Sequence, residues 1–144
     1  MSDYYLHPGL AQPVATGLDE PYWQGLTEGL LRVQQCNDCS GWQWGPEWIC
    51  HHCLSDNVGF AEVDPQGVIY SYERVWHPVH PALAEQGPYI VVLVELPHAG
   101  NVRMVGNLLG DPEQDVPIGT AVVGQFEHHP DAEPPFSLLH WKIQ

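Results

Sequence analysis

Cys36-Asn37-Asp38-Cys39 and, after ten intervening residues, Cys50-His51-His52-Cys53 hold all the cysteine in the chain. A C-x-x-C turn presents two thiolates from one tight knuckle. A second knuckle completes the tetrahedral sulfur set that zinc prefers, at roughly 2.3 Å per bond. The spacing predicts a metal site made of Cys36, Cys39, Cys50 and Cys53, with zinc favoured and iron, as in a rubredoxin-like redox protein, the alternative. Two disulfides fit poorly, because the polar start Met1-Ser2-Asp3-Tyr4-Tyr5 lacks a secretory signature and the chain is long enough to fold without staples. A thioredoxin-like redox pair fits worse, since there are two pairs and no βαβ pattern around them. With four thiols at hand, His51 and His52 read as exposed loop residues. Four sulfurs leave no position open for water or substrate, so the metal is scaffolding.

Between the knuckles, Gly41-Trp42-Gln43-Trp44-Gly45-Pro46-Glu47-Trp48 places three indoles in one short loop. Such a segment has too little apolar mass to fold alone, and metal binding supplies most of its stability, on the order of 10 kcal/mol. No Lys or Arg lies between Arg32 and Arg74, so backbone N–H groups must offset the thiolate charge. The tryptophans serve either as the ribbon's own small core or as contacts to another chain, since interfaces favour Trp.

Upstream, residues 1–18 carry Pro8, Gly9, Pro13 and Gly17 too closely spaced for a long helix, and read as an arm ordered only where it packs. Asp19-Glu20-Pro21 then opens a helix, with Asp19 at the N-cap and Tyr22, Trp23, Leu26, Leu30 and Leu31 at helical spacing. Downstream of Asp64-Pro65-Gln66-Gly67, five strands are expected over 68–76, 89–96, 102–109, 121–128 and 137–143. Pro97-His98-Ala99-Gly100 reads as a hairpin loop, and residues 110–117 connect the third strand to the fourth. The almost unbroken apolar run Tyr89–Leu96, as one continuous strand, is expected to be buried on both faces, with the helix at Tyr22–Leu31, the ribbon or a partner covering the barrel's outer side there. The chain thus reads as mainly β: an arm and helix over 1–33, a four-cysteine zinc ribbon over 34–63, and a five-stranded OB-fold barrel over 64–144.

Charge excludes more than it proposes. Arg32, Arg74, Arg103 and Lys142 are the only cations against eighteen acidic residues, for a net charge of −14 over 144 residues. Four thiolates on a divalent ion would take this to about −16. Phosphate backbones need clusters of Lys and Arg, so nucleic acid is a poor partner even though ribbons and OB barrels invite that reading. No apolar run approaches a membrane span. A reduced, cytoplasmic setting follows as the default.

Nine histidines raise the question of catalysis. His77 and His80 share the Pro-rich loop Trp76-His77-Pro78-Val79-His80-Pro81, but no partnered acid or base is legible beside them, and no H-E-x-x-H spacing marks a second metal. His128, His129 and His140 read as solvent-facing or hydrogen-bonded. No nucleophile elbow, phosphate loop or dinucleotide fingerprint occurs.

Residues 21–36 (Pro-Tyr-Trp-Gln-Gly-Leu-Thr-Glu-Gly-Leu-Leu-Arg-Val-Gln-Gln-Cys), the paired knuckles, Gly67-Val68-Ile69-Tyr70-Ser71-Tyr72, the run from Pro88 to Leu96 and Ile118-Gly119 occur in that order. As a combination, over about residues 20–143, they resemble the acyl-CoA-associated OB-fold proteins with a rubredoxin-like zinc ribbon, domain of unknown function 35. Members of that family are accessory subunits of thiolase-superfamily enzymes: acetoacetyl-CoA thiolase assemblies, acyltransferases of aromatic polyketide pathways, and aldolases that shorten steroid-CoA side chains. Others accompany hydratases of the hot-dog fold. The resemblance implies a non-catalytic subunit that docks on a thiolase-like dimer and shares its acyl-CoA substrate, in a lyase or acyltransferase complex. The aldolase branch is favoured, because the aromatic helix and Trp-rich ribbon suit a bulky acyl group. Trp23, Trp42, Trp76, His77, His80 and Tyr89 are the candidates for contact with the substrate channel or the partner. Family members have been suggested to hold the CoA nucleotide on the barrel. A chain this acidic should repel about four phosphate charges, so the partner is expected to supply the Lys and Arg for that end.

Overall fold

The computed structural model describes residues 4–144. Alternation of apolar side chains along each strand sets its core. The elements, in order, are α1 (Glu20–Thr27), β1 (Leu31–Cys36), β2 (Trp42–Gln43), β3 (Val58–Val63), β4 (Gln66–Val75), β5 (Tyr89–Leu96), β6 (Val102–Asn107), β7 (Ala121–His129) and β8 (Phe136–Ile143). They form a three-stranded sheet, β2-β1-β3, and a five-stranded sheet, β6-β5-β4-β7-β8, antiparallel throughout. All five expected strands are present.

The second sheet curls almost into a barrel. Leu108 bridges to Trp141, and the Leu109 N–H donates to the Trp141 carbonyl at 2.8 Å, tying the end of β6 to β8. The indole of Trp141, 1% exposed, fills the seam. Gly106 makes room for it: a Cβ there would lie 2.7 Å from the ring. The loop from β5 to β6 turns through Gly100 and Asn101, both left-handed at φ 65° and 58°.

Two expectations are corrected. Within this chain the β5 run is not buried on both faces: Ile90, Val92, Val94 and Leu96 are fully buried, whereas Tyr89, Val91, Leu93 and Glu95 are only half-buried. An antiparallel sheet needs only one face on the core. The helix also ends earlier than its apolar repeat. Gly29 turns left-handed at φ 74°, its N–H reaching the Leu26 carbonyl at 3.1 Å while the Leu30 N–H reaches that of Gly25 at 2.8 Å. Leu31 therefore begins β1 instead of extending α1, although it enters the same core. Asp19 does sit at the N-cap, but its carboxylate turns away from the cap to accept from the Thr16 N–H at 2.7 Å and the Trp23 indole at 3.0 Å.

One buried cluster joins helix, ribbon and barrel: Leu26, Leu31 and Val33 pack with Ile69, Ile90, Val94, Met104, Val122 and Trp141. The arm, from residue 4 to residue 18, has neither helix nor strand and is tied to the barrel by side chains; the Tyr5 hydroxyl donates to the Leu108 carbonyl at 2.7 Å. Residues 1–3 of the expected arm lie outside the described residues. Among the described residues, no helix is long and apolar enough to cross a membrane.

Candidate metal centre

The two knuckles face each other across the end of the three-stranded sheet. Pairing of Cys36 with Val58 at the end of β1 fixes the first knuckle, and the Cys50 N–H closes the second on the Ser55 carbonyl at 2.8 Å. The Sγ atoms of Cys36, Cys39, Cys50 and Cys53 all lie within 4.8 Å of one another. Cys36 and Cys53 are 3.6 Å apart, as are Cys39 and Cys50. A tetrahedron with sulfur bonds of about 2.3 Å has edges of about 3.8 Å, so the four sulfurs fit one ion. They are far beyond disulfide bonding distance, which excludes the disulfide reading.

Backbone N–H groups point at the sulfurs, as the lack of nearby cations requires. Those of Asp38, Gly41 and His52 donate to Cys36, Cys39 and Cys50 at 3.4, 3.4 and 3.3 Å. The Cys50 thiol is pulled down to about 6, first by the N–H of Cys53. Although the N–H of Ser55 pulls the other way, burial and the neighbouring sulfurs push Cys53 up to about 12. Four sulfurs this close cannot all ionise unless a cation sits among them. Cys36, Cys39, Cys50 and Cys53 would hold it, and among the described residues no further His, Cys, Asp or Glu joins the four, which closes the site. His51 and His52 are exposed, and the His52 imidazole Nε2 lies 3.1 Å from the Trp42 carbonyl instead of turning to the sulfurs.

The other candidate residues fall into separate places. Trp23 and Tyr89 line one open groove with Tyr22, Val91 and Leu138. Trp42 packs partly buried against the core, beside Gly100. Trp76, His77 and His80 lie exposed where β4 leaves the barrel. The Arg74 guanidinium sits 5.5 Å from the Trp76 ring centre, and His80 Nδ1 accepts from the Ala82 N–H at 3.1 Å to cap a short turn.

Sequence reading missed one polar cluster. Glu127, His129 and His140 are buried together under the arm. Glu127 meets His129 Nε2 at 2.6 Å and His140 Nε2 at 3.0 Å, and accepts the Tyr5 N–H at 2.7 Å. Tyr4 stacks on His129 at 3.9 Å. Burial alone would raise the Glu127 pKa, but these donors hold it down at about 2. Alternation along β7 places Glu127 and His129 on one face, but only the register with β8 brings in His140. His128 stays exposed, with its ring nitrogen 2.7 Å from the Ser137 hydroxyl.

The rubredoxin-like zinc ribbon domain of ChsH2 matches residues 23–59, and the C-terminal OB-fold domain of ChsH2 matches residues 61–127. A solved chain described as Ltp2-ChsH2(DUF35) aldolase superposes with a TM-score of 0.78 at 30% identity, over 92% of this chain and 98% of that one. The chain belongs to the ChsH2-type DUF35 family. A DUF35 protein of unknown function from Sulfolobus solfataricus shares the fold, with a TM-score of 0.62 at 16% identity, over 90% of this chain and 87% of that one. The present chain is also 34% identical, over 110 residues, to a probable enoyl-CoA hydratase alpha subunit of Thermomonospora curvata. That match takes in 76% of this chain but only 33% of the relative, so the chain spans about a third of that protein's length.

Proposed function

We propose that this chain is a non-catalytic, zinc-holding subunit of a thiolase-superfamily complex that acts on acyl-CoA thioesters. The favoured reaction is retro-aldol cleavage of a steroid-CoA side chain. The observation that carries the reading is the likeness, over 98% of its length, to a chain of the Ltp2-ChsH2 aldolase. The closed four-sulfur site supports a structural ion, and the match to a zinc ribbon supports zinc over iron. Free thiols suit a reducing, cytoplasmic setting.

Charge divides the labour. CoA brings about four negative charges on its phosphates, and this chain already carries −14. Its arginines are engaged: Arg32 with Glu28 at 2.8 Å, Arg103 with Glu95 at 3.0 Å, and Arg74 with the Pro112 and Gln114 carbonyls. The partner supplies the phosphate-binding cations. This chain offers apolar wall to the acyl or pantetheine arm, at the groove of Trp23 and Tyr89.

A second reading, association with an enoyl-CoA hydratase, is favoured by the relative described as a hydratase alpha subunit. Mixing the chain with an Ltp2-type thiolase-like protein and measuring mass by light scattering after size exclusion tests the first reading. A hetero-oligomer is expected, and two species eluting separately at micromolar concentration contradict it.

A further inference from the structure

The second knuckle of the ribbon exposes three large apolar side chains on a backbone that the interior holds rigid. Trp48 is 69% exposed, Ile49 49% and Leu54 76%. The Cys50 N–H bonds the Ser55 carbonyl at 2.8 Å and the Leu54 N–H bonds the Cys50 carbonyl at 3.0 Å, so Ile49 and Leu54 flank one turn. Beneath them lie two buried glutamines, Gln34 and Gln43. Gln34 accepts the Glu47 N–H and donates to the Glu47 carbonyl, both at 2.9 Å. Gln43 donates to Gln34 at 2.6 Å and to the Ile49 carbonyl at 3.1 Å, and accepts the His51 N–H at 2.8 Å. Two amides are thus spent in the interior to fix residues 47, 49 and 51, the backbone that carries Trp48.

Burying amides is costly unless every group is bonded, and here they are bonded to the loop itself. The metal already ties the two knuckles. What the glutamines add is a fixed position for an indole that touches solvent. A rigid, exposed Trp beside two aliphatic side chains is the composition of an interface anchor, which loses little entropy on docking.

The surroundings say what such an anchor fits. Glu47, Asp56 and Asp38 are exposed around it, four thiolates with a divalent ion add about −2, and no Lys or Arg occurs between Arg32 and Arg74. A second copy of the chain would bring the same negative rim against it. The complementary surface is an apolar pocket edged with Lys and Arg.

We propose that Trp48, Ile49 and Leu54 anchor this chain on its catalytic partner subunit, in an apolar pocket with a basic rim. The inference rests on the subunit reading above and names the face that docks. The probe is the Ltp2 protein of the similar aldolase complex, immobilised and titrated at low and physiological salt. The analytes are the wild-type holo-chain, a Trp48→Ser/Leu54→Ser variant, a Glu47→Lys/Asp56→Lys variant, and Ile118→Ser as a control on the barrel, 62% exposed. Each variant must keep its metal and its melting temperature.

The anchor variant is expected to bind at least about tenfold more weakly. The charge variant should weaken chiefly at low salt, and the control should match wild type. Equal binding by wild type and the anchor variant overturns this inference and leaves the subunit reading standing. No binding by wild type overturns both. Self-association of the isolated chain that the anchor variant abolishes assigns the face to a second copy and likewise overturns the inference.

Discussion

Glu127 and His140 meet 3.0 Å apart on adjacent strands of the barrel, and the same carboxylate accepts the backbone N–H of Tyr5 at 2.7 Å. One buried anion therefore ties β7, β8 and the arm together. Its pKa is held at about 2 against an ordinary 4.5, because His140, His129 and Tyr5 outweigh the cost of burial. The depressed value means stability that is fully present above about pH 4.5 and is lost as the pH falls toward 2. Its size is roughly 1–3 kcal/mol. Melting wild type and Glu127→Gln from pH 7 down to pH 3 should show the wild-type advantage shrinking below pH 4.5. A difference that does not change with pH contradicts it.

Removing the metal should be felt well beyond the ribbon. Leu31 and Val33 of β1 belong to the same buried cluster as the barrel residues Ile69, Ile90 and Trp141. A strong chelator, or Cys50→Ser, removes a binding energy on the order of 10 kcal/mol from the ribbon. Hydrogen exchange should then show β1–β3 unprotected and β4–β8 weakened, with a lower melting temperature. A barrel that melts unchanged would separate the two units.

The seam of the barrel can be probed at one atom. Gly106→Ala places a methyl 2.7 Å from the Trp141 ring, too close without movement of β6 or the indole. The expected loss is about 1–3 kcal/mol by denaturant titration, with metal content unchanged. Wild-type stability would mean that the seam is loose.

CoA itself should bind the isolated chain no better than millimolar at physiological salt, by calorimetry. Micromolar affinity would put the phosphate site on this subunit, despite its engaged arginines.

Much of the fold is legible in the residues. The four cysteines name their own geometry, because two knuckles of this spacing have few other ways to fold. The five strands follow from alternation and from Gly and Pro turns. The end of α1 was hidden, since Leu30 and Leu31 continue a helical apolar repeat while Gly29 alone breaks the backbone. Glu127, His129 and His140 were hidden for a different reason. Their meeting depends on cross-strand register and on an arm with no periodicity. Trp48 stood in view among three indoles, but the sequence does not distinguish it from Trp42. Packing does: Trp42 lies partly buried against the core, and the loop that carries Trp48, 69% exposed, is held by Gln34 and Gln43.

Turnover of a steroid-CoA aldol thioester, followed by release of the cleaved product, tests the central claim most directly. Purified holo-chain, the Ltp2 protein of the similar aldolase complex and their mixture are assayed side by side. Turnover confined to samples containing the partner, with no product from the holo-chain alone, is the predicted result. Sustained cleavage by the holo-chain alone, abolished in a His77→Ala/His80→Ala variant, would contradict it.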